Sequence, residues 1–157
     1  MSTPESTLKW DTRFVEMAKL VATWSKDRST KVGCVIVGPN REVRSVGYNG
    51  FPRGVDDNVE ARHQRPAKYL WTEHAERNAI YNATLAGISL IGCSAYLQWF
   101  PCMDCARALV QSGITTVVGS EPNFDDPKWG EDFKNTVQLF TEAGVVVRYL
   151  GETPKRG

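Results

Sequence analysis

Residues 94–118 read Ser94-Ala-Tyr-Leu-Gln-Trp-Phe-Pro-Cys-Met-Asp-Cys-Ala-Arg-Ala-Leu-Val-Gln-Ser-Gly-Ile-Thr-Thr-Val-Val118. The first five residues, to Gln98, have the length and apolar content of a short strand. Pro101 then sits where a helix would begin, because the first turn of a helix leaves its N–H groups unpaired and loses nothing to a proline. Ala106, Leu109 and Val110 recur at three- and four-residue spacing, which gives that helix one apolar face, and Gly113 supplies its stop. Ile114–Val118 returns to a β-branched run. A strand, a helix and a strand in immediate succession form the repeating unit of an α/β sheet, and the rest of the chain is read outward from it.

Toward the N-terminus, His74, Ala75, Ala79, Ile80 and Ala83 carry helical periodicity to about Ala86, with Gly87 as the stop. Val32–Val37 and Val43–Tyr48 are two β-rich runs around the turn signal Gly38-Pro-Asn40, a predicted hairpin. Phe14, Met17, Ala18 and Val21 mark a first helix from about Trp10 to Trp24. The stretch between Gly47 and Thr72 is rich in Gly, Pro, Asp and Asn and reads as a long loop, a feature often tied to function. Toward the C-terminus, Phe133, Val137 and Phe140 mark a helix over Trp129–Ala143, and Val145–Leu150 closes with a strand. The order α-ββ-α-β-α-β-α-β predicts an α/β fold: a three-layer α/β/α arrangement around a five-stranded mixed sheet. Residues 1–157 are expected to form one domain, with 1–8 and 152–157 as flexible tails, and no repeat or linker is evident.

A chain of 157 residues is long enough to bury about two-thirds of its unfolded surface. Its 19 Lys+Arg nearly balance 18 Asp+Glu, for a formal charge of +1. That balance argues against a nucleic-acid partner, since binding a polymer of phosphates draws on a basic excess. No window approaches the roughly 18 apolar residues of a membrane span. The Ser/Thr-rich N-terminus lacks the basic-then-apolar pattern of a signal peptide, so a cytoplasmic location is expected and the four cysteines are read as metal ligands or buried thiols.

Two strings carry chemistry: His74-Ala-Glu76 and Pro101-Cys-Met-Asp-Cys105, each at a predicted helix start. His74, Cys102 and Cys105 are three borderline-to-soft ligands suited to Zn²⁺, and three protein ligands leave the fourth tetrahedral position open, as in catalytic zinc sites. The helix starts add a positive end worth roughly half a charge, which favours thiolates. Glu76 lies two residues past the histidine, free to carry protons instead of binding metal. This H-x-E with P-C-x-x-C pattern is the signature of zinc-dependent nucleobase deaminases. A structural zinc would want a fourth ligand, but Cys34 and Cys93 lie in or beside apolar strands and read as buried small hydrophobes.

Beyond the zinc strings, the chain resembles the deoxycytidylate (dCMP) deaminase family of the cytidine deaminase-like superfamily over about Ser25–Leu150. The resemblance rests on Ser25-Lys-Asp27, Lys31-Val-Gly33, Gly47-Tyr-Asn-Gly-Phe-Pro-Arg-Gly54, Asp56-Asp57, Lys68-Tyr69, the two zinc strings and Gln111-Ser-Gly-Ile114. It implies hydrolysis of dCMP to dUMP and ammonia, feeding dTMP synthesis. It also implies a homo-oligomer, hexamer or dimer, with possible regulation by dCTP and dTTP. Carried onto this chain, it gives Asn49 a contact with deoxyribose, the Ala75 N–H a bond to the pyrimidine carbonyl, and Phe124 a place against the base. Arg28 is the favoured phosphate ligand, ahead of Lys31 and Arg53. The chain departs from the family at Gln98-Trp99, where Thr and a smaller apolar residue are usual. The alternatives are a deaminase of another substrate (cytosine, guanine, a modified nucleotide or tRNA adenosine) and a non-catalytic zinc- or nucleotide-binding module. Glu76 argues against the module, which would need no carboxylate there.

Overall fold

The computed structural model describes residues 2–152, with the side chain of Glu152 outside that description. Helix α1 spans Pro4–Ala22, β1 Gly33–Val37, β2 Val43–Tyr48, α2 Glu60–His63, α3 Lys68–Trp71 and α4 Ala75–Ala86. Then come β3 Ser94–Leu97, α5 Met103–Gln111, β4 Thr116–Glu121, α6 Gly130–Glu142 and β5 Val146–Glu152.

The strands form one sheet in the order β2-β1-β3-β4-β5. The β1–β2 and β1–β3 pairs are antiparallel, while β3–β4 and β4–β5 are parallel. The mixed five-stranded sheet predicted from the element order is therefore present. Alternation of side chains across each strand splits the core in two. On one face, Phe14, Val15, Ala18 and Val21 of α1 pack on Val35, Val37, Tyr96 and Val118. On the other, Ala75, Ala79 and Ala83 of α4, Ala106 and Leu109 of α5 and Phe140 of α6 pack on Cys34, Ile36, Ala95, Leu97 and Val117. Helices thus cover both faces of the sheet, as expected.

Two glycines let helices approach the sheet closely. A Cβ on Gly33 would stand 2.1 Å from the carbonyl oxygen of Ala18 in α1. One on Gly47 would stand 2.3 Å from the Ala79 nitrogen and 2.4 Å from the Ala75 oxygen. Gly47 therefore sets how near α4 lies to β2, and with it the position of the helix start that carries His74. An isolated bridge reinforces this: the Gly50 N–H donates to the Glu73 carbonyl at 3.1 Å and the Glu73 N–H to the Gly50 carbonyl at 2.8 Å.

Two expectations are corrected. Helix α1 starts at Pro4, not near Trp10, so residues 4–8 are helical and not a tail. Thr3 caps it, its hydroxyl accepting from the Ser6 N–H at 3.1 Å, with Pro4 and Glu5 in the first turn. The 47–72 stretch is not all loop, because α2 and α3 each make about one helical turn within it. Of the C-terminal tail expected over 152–157, residues 153–157 lie outside the described residues. Among the described residues, no helix is long and apolar enough to cross a membrane.

Candidate active site

Helices α4 and α5 begin side by side on the same face of the sheet, at the ends of the segments that follow β2 and β3. His74 is the N-cap residue of α4 and Cys102 that of α5, and neither side chain caps its own helix. Both are turned toward each other instead. His74 Nδ1 lies 3.6 Å from Cys102 Sγ and 3.3 Å from Cys105 Sγ. The three ligand atoms fall within 4.8 Å of one another. A nitrogen about 2.1 Å and a sulfur about 2.3 Å from a tetrahedral zinc ion stand about 3.6 Å apart, so the triad has the dimensions of a zinc site.

The electrostatics agree. Cys102 is held down to about 4, first by the hydrogen bond from the Cys105 thiol and then, against the opposing effect of burial, by His74. Cys105 is correspondingly pushed up by its bond to the Cys102 thiolate and by burial. His74 is raised, chiefly by its hydrogen bond with Cys102. A thiolate beside a thiol and an imidazole is a preformed ligand set, and a divalent cation held among them would ionise the second thiol as well. Arg77, one turn along α4, is bound to Glu73 at 2.6 Å, and the same Glu73 carboxylate accepts the His74 N–H at 3.0 Å. That bond fixes the backbone from which the imidazole projects.

Glu76 occupies the first turn of α4 and is 5% exposed. Burial lifts its carboxyl above the usual carboxylate range, and the hydrogen bond with Cys105 partly offsets that rise. His74, Ala75, Glu76 and Cys102 line a cavity of about 560 Å³, with Cys105 buried beside it. As the first residue of α4, Ala75 directs an N–H that has no intrahelical acceptor.

The remaining residues singled out from sequence divide. Asn49 lines the cavity, but its carboxamide is engaged with the chain itself, accepting from the Val32 N–H and donating to the Thr30 carbonyl, each at 2.8 Å. Phe124 is not among the lining residues; its carbonyl packs against Gly130, at 2.3 Å from where a Cβ would sit. The aromatic walls are Tyr69, Trp99, Phe100, Trp129 and Phe133. Arg28 pairs with Glu60 and borders a second, adjoining cavity of about 510 Å³. The cationic residues that line the zinc cavity are Arg65 and Lys68, of which Lys68 is held by Asp27 at 3.1 Å and by Ser29 at 2.8 Å. Sequence reasoning missed the aromatic ring. Trp99, a departure from the family beside the zinc string, was the available signal.

Residues 8–121 match the family model of the cytidine and deoxycytidylate deaminase zinc-binding region. The chain belongs to this deaminase family. It is a zinc-dependent hydrolase of that family, with His74, Cys102 and Cys105 positioned to bind the metal. Among relatives of this deaminase, a deaminase of the luxG 3′ region from Aliivibrio fischeri is 46% identical over 143 residues, covering 90% of the chain and 94% of that protein. The deoxycytidylate deaminase of Mus musculus is 37% identical over 153 residues, covering 94% of the chain and 82% of that protein. The dCMP deaminase of cyanophage S-TIM5, solved with dCMP and dUMP, superposes with a TM-score of 0.73 over 96% of the chain and 100% of that chain. At 23% identity, that likeness shows the shared fold.

Proposed function

We propose that this deaminase hydrolyses dCMP to dUMP and ammonia. The reading is carried by one observation: a His–Cys–Cys site and a buried glutamate meet at one cavity in a chain 37% identical to a deoxycytidylate deaminase. Zinc, when bound, lowers the pKa of water at its open position to about 7. The chain's own residues do the rest. Glu76 takes a proton from the attacking water, gives it to the ring nitrogen and carries another to the departing amino group, so that water adds at C4 and ammonia leaves. The raised affinity of the Glu76 carboxyl for protons, caused by its burial, suits a group that must both accept and release them. The Ala75 N–H holds the pyrimidine carbonyl, and the aromatic walls exclude water from the base. A 5′-phosphate meets Lys68 and Arg65, the cations lining this cavity, while Arg28 faces the adjoining one.

The same reading includes a cytoplasmic homo-oligomer, hexamer or dimer, whose activity responds to dCTP and dTTP. In support of regulation, the second cavity shares Asp27, Asn49, Arg65, Lys68 and Thr72 with the first. The test is ammonia release from dCMP, CMP, deoxycytidine, cytosine and guanine, with dCMP repeated in the presence of dCTP and of dTTP. dCMP is expected to have the highest kcat/KM. Faster turnover of deoxycytidine would remove the phosphate contact, and faster turnover of guanine would replace the substrate.

A further inference from the structure

The β1 ladder begins at Gly33, but the chain just before it stays bonded to both neighbouring segments. Its register with β2 pairs Gly33 with Tyr48, and its register with β3 pairs Cys34 with Leu97. Continued by one step, these registers set Val32 opposite Asn49 and Gly33 opposite Gln98. Thr30–Val32 lies outside any strand, yet Thr30 and Val32 form part of the wall of the zinc cavity. Two side-chain amides take over the ladder there. On the β3 side, Gln98 Oε1 accepts from the Gly33 N–H and Gln98 Nε2 donates to the Lys31 carbonyl, each at 3.1 Å. On the β2 side, Asn49 does the same to the Val32 N–H and the Thr30 carbonyl.

In an extended chain, the carbonyl of one residue and the N–H of the second residue after it point to the same side. A carboxamide is the side chain that offers one donor and one acceptor in a single plane, so it can meet both. The Gln98 amide therefore stands in for a missing strand partner on the β3 side, and the Asn49 amide extends the pairing on the β2 side. The two together hold Thr30–Gly33 from both edges; on the β2 side the amide stands beside a surviving backbone bond, in which the Asn49 N–H donates to the Val32 carbonyl at 3.2 Å. Gln98 is 8% exposed and Asn49 6%, so neither amide exchanges these bonds freely for water. The Trp99 indole N–H adds a longer contact of 3.4 Å to the same Lys31 carbonyl, and its ring lines the cavity.

We infer that Gln98 is a positioning residue for substrate: by completing a side-chain ladder on β1, it fixes the Thr30–Gly33 wall of the zinc cavity before substrate arrives. The inference rests on the deaminase reading above. A wall set in advance lowers the ordering cost of binding, so its loss is felt in substrate affinity more than in the chemical step.

The experiment uses Gln98→Leu, and Gln98→Glu as the variant that keeps the acceptor for Gly33 but loses the donor to Lys31. Amide exchange in the ligand-free enzymes should quicken at Gly33 by about tenfold or more in Gln98→Leu and remain near wild type in Gln98→Glu. With dCMP, KM should rise about tenfold in Gln98→Leu, which loses both amide bonds, with kcat and zinc content within about twofold. Unchanged Gly33 exchange, or a kcat that falls with the folded fraction at constant KM, would overturn the inference. If Gln98→Leu does not fold, Gln98→Glu decides alone: KM should rise with Gly33 exchange preserved, and an unchanged KM counts against a positioning role. A wild-type protein inactive on dCMP would sink the substrate reading, a failure distinguishable because the exchange measurement needs no substrate.

Discussion

Glu76 and Cys105 are both buried at the site, and burial raises the Glu76 carboxyl. Cys105 has the position of a metal ligand, and Glu76, buried close to it, is the group to which the proposed reaction assigns proton transfer. Replacing Glu76 with Gln keeps the size and the burial but removes the group that cycles a proton. We expect Glu76→Gln to retain stoichiometric zinc while kcat for ammonia release falls by a factor of about 10²–10⁴. Metal analysis and turnover on the same sample check this, and normal turnover would remove Glu76 from the mechanism. At this scale the sequence was legible where a short motif fixes both residue type and backbone position: His74, Glu76, Cys102 and Cys105 sit at helix starts, and their directions follow from that. It was not legible at Phe124 and Arg28. Their side chains leave irregular segments, where direction depends on tertiary neighbours such as Gly130 and Glu60. The Asn49 carboxamide illustrates the same limit, since its bonds to Thr30 and Val32 depend on where β1 runs relative to β2.

At the scale of elements, α4 is the part whose placement matters most. Its N-terminus carries His74, Ala75 and Glu76, and its closeness to β2 depends on the absence of a side chain at Gly47. The atoms that a Cβ there would meet are backbone atoms, which cannot rotate away. Gly47→Ala should therefore cost about 1–3 kcal/mol and lower Tm by roughly 2–12 °C for a chain of this length. Gly50→Ala is the control, since a Cβ there meets nothing within 4 Å, and its Tm should stay near wild type. Equal Tm values for the two variants would show that α4 has slack against the sheet. Helices α4, α5 and α6 could be read from periodicity because each spans enough residues to show a repeat, and the five strands from short apolar, β-rich runs bounded by turn signals. Helices α2 and α3, four residues each, could not. The start of α1 was missed for another reason: Thr3-Pro4-Glu5 is a capping signal with no apolar face to draw attention to it.

For the whole molecule, the sheet order β2-β1-β3-β4-β5 brings the segments after β2 and β3 to either side of β1, and the zinc cavity opens where the three part. The α/β class followed from the succession of elements. The order of strands did not, because pairing between distant segments leaves no mark in local periodicity. The fold supplies an antiparallel half that aligns Asn49 and Gln98 along β1, and a strand–helix–strand unit that presents Cys102 and Cys105. The proposed reaction would need the ion that His74, Cys102 and Cys105 would hold. The most direct measurement is ammonia release from dCMP by protein stripped of metal with a chelator and then titrated with zinc. The account predicts that activity disappears on stripping and returns in proportion to zinc, with saturation at one equivalent per chain. Full activity in the metal-free protein would contradict it.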